Sequence, residues 1–257
     1  MYRIFLLQVI SYTASFAQPQ WPHPNAHAHN DYEHQRPLLD AIENGFSSVE
    51  ADVHLHNGKL LVAHNRATDR SPTLERLYLI PLDSILKLND NFIYPGSKVS
   101  FYLMMDIKTE SESTFKVLKE ILNHYPRLNC SISLCAVKIF LSGERPAATI
   151  LKEGYSGFGI DGRPDDVGKG IPVDLMPVIS DTYKNWSTWD GHSMPTENDL
   201  HRINGLAQRV HNEGKKLRLW AIPDNELVWD ALLKVGVDFI NTDRLNELNT
   251  FLKKKGL

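Results

Sequence analysis

The chain of 257 residues contains only two cysteines, Cys130 and Cys135, which excludes a small scaffold held together by several disulfides. A strand predicted over residues 131–141 would hold the two thiols about 16 Å apart, at about 3.3 Å per residue. A disulfide needs Cα atoms within about 7 Å of each other. We therefore expect two free thiols that fill space in the core.

The sequence has no surplus of positive charge, and its formal net charge is −3. No basic surplus therefore points to nucleic acid, and no polybasic run points to an anionic membrane. The one strongly basic run, residues 253–255, is typical of the solvated end of a helix. We expect neither a nucleic-acid partner nor stable insertion into a membrane.

Long apolar runs are also absent beyond the N-terminus, where the sequence has the features of a secretory signal. Arg3 gives a positive start, residues 4–14 are mostly apolar, and Ser15 and Ala17 suit cleavage after Ala17. A run this short cannot cross a bilayer of about 30 Å as a helix. We expect residues 1–17 to be a cleaved signal peptide and residues 18–257 to form one secreted or periplasmic domain. A retained membrane anchor is the alternative.

From residue 26 onward, short apolar runs alternate with amphipathic segments of helical length. The predicted strands are residues 26–30, 48–53, 100–107, 131–141, 157–160, 176–180, 216–222 and 237–241. The predicted helices are residues 37–44, 113–123, 146–152, 197–212, 225–235 and 244–253. Alternation of this kind predicts a parallel sheet, and eight strands in a chain of this length predict an α/β fold of the (β/α)₈ TIM-barrel class. A doubly wound sheet would have a glycine-rich turn after the first strand, which this chain lacks.

Three acidic residues occur where the predicted barrel strands end. Glu50 and Asp52 are two residues apart on the second strand, so they share one face, and Asp106 lies near the end of the third strand. Unpaired carboxylates placed side by side are costly, whereas Mg²⁺ and Ca²⁺ prefer such oxygen ligands. The pattern predicts one divalent cation, Mg²⁺ or Ca²⁺, bound at this end of the barrel. Neutralisation of the carboxylates by a buried lysine or arginine is the alternative.

The Asn57-Gly58 pair after the second strand predicts a β-hairpin with a type I′ turn. Pairing outward from this turn sets Leu55 beside Leu60 and then Val53 beside Val62. If the ladder continues, Ala51 pairs with His64. The hairpin would then return His64 to the edge that carries the carboxylates, where a histidine could act in catalysis.

The first and third strands end in further polar residues. His29 lies at the end of the first strand, and Lys108 lies two residues after Asp106, on the same face. Lys108 could neutralise an anionic substrate or form a salt bridge with Asp106, and both alternatives remain open here.

Taken together, three segments resemble the glycerophosphodiester phosphodiesterase family. They are GFSSVEADVHLHNGKLLVAHN, DIK and LRLWAIPDNELVWDALLKVGVDFINTDRL. The same layout occurs in sphingomyelinase D and other phospholipase C-like barrels, and the resemblance covers roughly residues 26–66, 100–108 and 216–245. It implies catalytic histidines at His29 and His64, metal ligands at Glu50, Asp52 and Asp106, and substrate contacts from Lys108 and Trp220.

The resemblance implies metal-dependent hydrolysis of a small phosphodiester that resembles a glycerophosphodiester or a phospholipid headgroup. The two histidines would act as general acid and base, and attack by the substrate's own hydroxyl would give a cyclic phosphate. One departure stands out, because His29-Asn30-Asp31 replaces the usual His-Arg-Gly and removes a phosphate-binding arginine. Arg36, Arg145 and Arg163 are the candidates to replace it.

Two other functions compete with this interpretation. The His27-x-His29 pair resembles the first-strand metal ligands of amidohydrolase-type barrels, although the fifth to seventh strands supply no further histidines. A non-catalytic binding barrel is the other alternative. The aromatic loop 181–195 could form a lid or an apolar pocket, or it could simply pack over the barrel mouth.

Overall fold

The computed structural model describes residues 22–130, 136–154 and 157–257. Its strands are β1 (His23–Ala28), β2 (Phe46–His56), β3 (Lys59–Val62), β4 (Phe101–Ile107), β5 (Val137–Gly143), β6 (Phe158–Gly162), β7 (Val178–Thr182), β8 (Lys216–Trp220) and β9 (Phe239–Thr242). All strands except β3 run parallel to their neighbours, and β1 closes the sheet by pairing with both β2 and β9. The predicted (β/α)₈ TIM barrel is therefore confirmed.

Helices connect the strands of this barrel. They are α1 (Leu39–Glu43), α2 (Ile80–Leu88), α3 (Ser111–Leu122), α4 (Ala147–Glu153), α5 (Glu197–His211), α6 (Glu226–Lys234) and α7 (Leu245–Lys255). In the described ranges, no helix combines the length and apolar character needed to cross a membrane.

One helical segment that was not predicted from the sequence lies between the hairpin and β4. Here a π-helical turn, Glu75–Leu79, leads directly into α2. Pro81, which has no N–H to donate, lies just after this π-helical turn, where the regular helical hydrogen bonding is already interrupted. The apolar spacing was nonetheless helical, because Tyr78, Leu82 and Leu86 recur every four residues and are buried.

The strands carry apolar side chains on both faces. Val49, Ala51 and Val53 are fully buried in the main core, which lies between the sheet and the helices. A separate cluster comprises Tyr102, Met104, Phe140, Val178 and Phe239. These residues alternate with the outward-facing ones, so they lie inside the barrel, below the polar residues near the strand ends. This apolar layer leaves the C-terminal end as the polar mouth of the barrel.

The predicted hairpin after β2 is confirmed in its turn and its first pairs. Asn57 and Gly58 have φ values of 49° and 75°, and positive φ at both positions is the signature of a type I′ turn. Leu55 pairs with Leu60 and Val53 with Val62. The ladder stops there, so the expected pairing of Ala51 with His64 is not part of the sheet.

The expectation of free thiols was wrong, because Cys130 is disulfide-bonded. A separation of about 16 Å between the two thiols requires an extended strand from residue 131, whereas β5 begins at Val137. Cys135, the other cysteine of the chain, lies outside the described residues, as does the expected signal peptide over residues 1–17.

Candidate functional site

A buried polar network fills the barrel interior above the apolar cluster. The Arg218 guanidinium donates from Nη2 to Glu50 Oε2 over 2.7 Å and from Nε to Asn241 Oδ1 over 2.9 Å. His27 lies between Ser48 and Glu50, with Nδ1 2.7 Å from Ser48 Oγ and Nε2 3.3 Å from Glu50 Oε2. Every member of the network is buried. The network fixes Glu50 in the centre of the barrel.

The charge state of this network follows from Arg218. Burial would raise the pKa of the Glu50 carboxyl, but the Arg218 charge and the His27 contact lower it to about 2. Burial and the same arginine charge lower the pKa of His27 to about 4. Glu50 is therefore ionised and His27 neutral at pH 7. The charge of Glu50 is therefore balanced by a buried arginine, Arg218, which is the alternative that the sequence left open beside a metal ion.

Asp52 and Asp106 lie beside each other at the ends of β2 and β4, where they form a register pair. Lys108 Nζ lies 2.8 Å from Asp106 Oδ2 and 3.2 Å from Asp52 Oδ2, so the Asp106–Lys108 salt bridge, one of the two alternatives for this lysine, is present. Burial raises the pKa of the Asp52 carboxyl to about 6, against the opposing effect of the Lys108 charge. Lys108 thus balances part of the local negative charge.

The three carboxylates also fit a metal ion. Glu50, Asp52 and Asp106 each offer an oxygen, and these atoms lie within 4.8 Å of one another. Both Asp52 oxygens and Asp106 Oδ1 are buried without an aligned hydrogen-bond donor in the described part of the chain. Buried acceptors in native proteins normally have a partner, and hard divalent cations prefer carboxylate oxygens. This acidic cluster could therefore bind a metal ion.

The two expected histidines flank the acidic cluster from different loops. His29 Nδ1 lies 2.8 Å from Asp243 Oδ1, just beyond β9. Burial lowers the pKa of His29, but the hydrogen bond to Asp243 and the Glu50 charge outweigh it, so the pKa is raised overall. His64 Nδ1 lies 3.5 Å from Asp52 Oδ2, which places this histidine at the carboxylates although the hairpin ladder ends earlier.

The Nδ1 atom of His64 has two neighbours within the protein. The Tyr32 hydroxyl, which donates to Asn30 Oδ1 over 2.8 Å, lies 3.1 Å from His64 Nδ1, and Asp52 Oδ2 lies 3.5 Å from the same atom. Nε2 is therefore the ring nitrogen of His64 left for contact with another molecule.

The two residues that depart from the family pattern after His29 have structural roles. Asn30 adopts a left-handed conformation with φ of 45°, and its Oδ1 accepts a hydrogen bond from the Tyr32 hydroxyl. Asp31 is buried and accepts hydrogen bonds from the Leu38 amide and the Tyr78 hydroxyl. Burial raises the pKa of Asp31 to about 7. These positions shape the loop, and neither provides the positive charge of the missing arginine.

Trp220 ends β8 with 41% of its surface exposed. The following residue, Ala221, has a φ of 55°, which turns the chain away from the strand direction. A shallow cavity of about 140 Å³ opens beside it, lined by residues that include His29, Asp224 and Asp243. The exposed indole gives the mouth an apolar surface, while the neighbouring cavity is lined mainly by polar residues, His29 among them.

The aromatic loop after β7 is mostly packing. Tyr183 and Trp189 are buried, and the Tyr183 hydroxyl donates to the Trp189 carbonyl. Trp186 donates from Nε1 to Asp181 Oδ2 over 2.8 Å. This arrangement favours the packing alternative over an open aromatic pocket.

The amidohydrolase alternative does not fit the geometry. His27 is buried, and its two ring nitrogens contact Ser48 and Glu50. In the ranges that the structure describes, the one group of three or more residues that could hold a metal ion consists of carboxylates alone. No histidine-based metal site is present there.

Comparison with known proteins places the chain near one group of phosphodiesterases. Residues 20–129 match the family described as AIM6-like phosphodiesterase domain. This segment contains His29, the acidic cluster, His64 and Lys108.

Three fungal relatives match most of the chain. "Altered inheritance of mitochondria protein 6" of Eremothecium gossypii is 26% identical over 88% of this chain and 68% of its own length. The protein of the same name from Lachancea thermotolerans is 25% identical over 88% of this chain and 65% of its own length. A homolog from Arthroderma benhamiae is 24% identical over 86% of this chain and 81% of its own length. The chain thus spans about two thirds of the length of the first two relatives.

The family match agrees with the resemblance that the sequence motifs gave, and it covers the segment that carries the acidic cluster. Residues 20–129 are therefore similar to the AIM6-like phosphodiesterase domain, a branch of the glycerophosphodiester phosphodiesterase-like TIM barrels.

Proposed function

We propose that this protein hydrolyses a small phosphodiester that resembles a glycerophosphodiester or a phospholipid headgroup, with the help of one divalent cation. The observation that carries the proposal is the convergence of His29, His64, Lys108 and the acidic cluster at one end of the barrel. The match of residues 20–129 to a phosphodiesterase family supports it.

Glu50, Asp52 and Asp106 would hold the cation, Mg²⁺ or Ca²⁺, through carboxylate oxygens. A divalent cation bound there supplies a positive charge that stabilises a non-bridging phosphoryl oxygen. Both contacts that Arg218 and His27 make to Glu50 use Oε2, so Oε1 is the oxygen proposed for the cation. Lys108, now held by Asp52 and Asp106, would contact a second phosphoryl oxygen of the substrate.

His29 and His64 would transfer the protons. Each has Nδ1 engaged within the protein, His29 with Asp243 and His64 with Tyr32, which leaves Nε2 for the substrate. One histidine accepts the proton of the attacking hydroxyl while the other protonates the leaving oxygen. The attacking group would be water or the substrate's own neighbouring hydroxyl, and the second route gives a cyclic phosphate. Trp220 would contact the organic part of the substrate beside the cavity at His29.

The proposal extends to where the protein works. The features of residues 1–17 support removal of a signal peptide and activity outside the cytoplasm. A small, soluble phosphodiester is the proposed partner, without nucleic acid and without stable membrane insertion.

The test is hydrolysis of bis(p-nitrophenyl) phosphate and of glycerophosphocholine, with and without a chelator. We expect activity that EDTA abolishes and that Mg²⁺ or Ca²⁺ restores, while ³¹P NMR of the glycerophosphocholine reaction distinguishes a cyclic product from a monoester. Asp106→Asn should lose both activity and cation affinity. Asp83→Asn, which removes a surface carboxylate bound to Arg127, is the matched control. Absence of hydrolysis with either cation would contradict the proposal.

A further inference from the structure

At the mouth of the barrel, the half-buried guanidinium of Arg145 has no carboxylate partner among the described residues. We infer that Arg145 binds a phosphoryl oxygen of the substrate and replaces the arginine that this chain lacks after His29. The inference rests on the proposed phosphodiesterase function and names a residue that determines how the substrate anion is bound.

The other two candidate arginines are already neutralised. Arg36 donates to both carboxylate oxygens of Glu43 and to Asp40 on the surface of α1. Arg163 donates from Nη1 to Asp161 Oδ2 over 2.9 Å and to the Gly162 carbonyl. Binding a phosphate through either residue would first require breaking these charge-assisted hydrogen bonds.

Arg145 differs from both. Within the described ranges, no carboxylate oxygen lies within 4.0 Å of its guanidinium, and its Nε is buried without a hydrogen-bond partner. Its one side-chain hydrogen bond there is a long contact of 3.4 Å from Nη1 to the Gly143 carbonyl. A buried donor left unsatisfied costs free energy, which a phosphate oxygen would recover on binding.

The loop that carries Arg145 is joined tightly to the acidic cluster. Gly143 pairs with Ile107 at the end of the β4–β5 ladder, directly after the Asp106–Ser142 pair. The Glu144 amide donates to the Ile107 carbonyl and the Arg145 amide donates to the Gly143 carbonyl. A Cβ atom on Gly143 would lie 2.0 Å from Asp106 Oδ1, so the loop and the Asp106 carboxylate are in direct contact. This packing holds Arg145 at the strand end next to Asp106.

The local charges favour an anion at Arg145. Burial, followed by the charge of the neighbouring Arg163, lowers the pKa of the Arg145 guanidinium, while Asp161, Asp166 and Asp106 act in the opposite direction. Arg163 is already paired with Asp161, so the guanidinium of Arg145 remains in need of a counter-ion. A phosphodiester presents that counter-ion with oxygens that match the planar fork of an arginine.

Three variants test the inference: Arg145→Gln, Arg145→Lys and the control Arg36→Gln. Inorganic phosphate is the probe, and calorimetry measures its binding to the cation-loaded protein independently of turnover. We expect Arg145→Gln to weaken phosphate binding by about 10- to 100-fold, the scale of a lost hydrogen bond to a charged group. Its kcat/KM for the diester should fall by a similar factor. Arg145→Lys should recover part of both losses, because it restores the charge without the fork, and Arg36→Gln should change neither.

The inference is overturned if Arg145→Gln, with the wild-type circular dichroism spectrum and Tm, binds phosphate as tightly as wild type. It is also overturned if the wild-type protein binds no phosphate. Failure of the proposed function looks different: wild type would bind phosphate through Arg145 but would hydrolyse no phosphodiester. In that case the calorimetric result still decides the role of Arg145.

Discussion

Arg218 and Glu50 form a buried ion pair in the centre of the barrel, with 2.7 Å between Nη2 and Oε2. The two residues are 168 positions apart in the sequence and come from strands on either side of β1. The pair keeps Glu50 ionised in a place where an isolated carboxyl would take up a proton.

Removal of Arg218 should therefore destabilise the fold. In the cation-free protein, we expect Arg218→Met to lower the free energy of unfolding at pH 7 by about 3–5 kcal/mol, because it leaves an unpaired buried charge. Urea denaturation measures the loss. The folded-state pKa of Glu50 lies below its ordinary value of 4.5, so its stabilising contribution is present above that value and is lost as the pH falls through about 2. Arg127→Met, which breaks a surface pair with Asp83, should cost about 0–1 kcal/mol. Equal stability losses in the two variants would count against a buried pair.

The two histidines should act as a unit. His29→Ala and His64→Ala should each lower turnover by about 10²–10⁴-fold without unfolding the barrel, because both side chains lie at the exposed mouth. The double variant should lose much less than the product of the two single losses. Steady-state kinetics at saturating cation measures all three variants. His56→Ala is the control, since His56 lies on the hairpin and contacts Asp69. If the double variant instead loses turnover by the full product of the two single losses, the two histidines act independently and the paired acid–base role is contradicted.

Asp243 should set the pH at which His29 titrates. Its carboxylate favours the protonated imidazole, so Asp243→Asn should lower the pKa of His29. One side of the bell-shaped profile of kcat/KM against pH reflects the titration of His29. That side should then move to lower pH, whether His29 acts as the general acid or as the general base. NMR titration of labelled histidine measures the same shift directly. Asp181→Asn, at a carboxylate bound to Trp186, should leave the profile unchanged. An unchanged titration of His29 in Asp243→Asn would show that the contact does not control its protonation.

Gly143 should be required for the geometry of the acidic cluster. Gly143→Ala would place a methyl group 2.0 Å from Asp106 Oδ1, so cation affinity should fall along with stability. Gly154→Ala is a matched control, because Gly154 also has a positive φ, of 77°, but has no atom within 4 Å of the added Cβ. Both variants carry backbone strain of about 1–3 kcal/mol, and only Gly143→Ala should weaken cation binding in calorimetry. Equal cation affinities in both variants would contradict the contact with Asp106.

The N-terminus is open to a direct measurement. Cleavage after Ala17 predicts a mature protein that begins at Gln18. Intact-mass spectrometry of the protein recovered from its native host should find this start. A mass that includes Met1 would show that the segment is retained.

Local patterns predicted the parts of the site that depend on neighbours in the sequence. The spacing of two residues put Glu50 and Asp52 on one inward face, and the Asn57-Gly58 turn brought His64 back to Asp52. Both results depend only on strand periodicity and turn geometry, which act over a few residues.

Partners that meet only through barrel closure were not predictable in the same way. Arg218 lies between Leu217 and Leu219, so its inward direction could have been read from the alternation, but its partner could not. Asp243 meets His29 only because β1 pairs with β9. The helix α2 was missed for a different reason, since Pro81 interrupts an otherwise helical pattern and a proline at such a position normally ends or kinks a helix.

The closure of the barrel between β1 and β9 also sets an order of events during folding. The three carboxylates of the acidic cluster are all synthesised by residue 106, whereas Arg218 and Asp243 come near the end of the chain. The contact between His29 and Asp243 spans 214 residues, so it forms only after the last strand has docked. A chain still emerging from the ribosome would therefore carry the acidic cluster but lack the fully assembled mouth, and the proposed catalysis would begin only once β1 and β9 have paired.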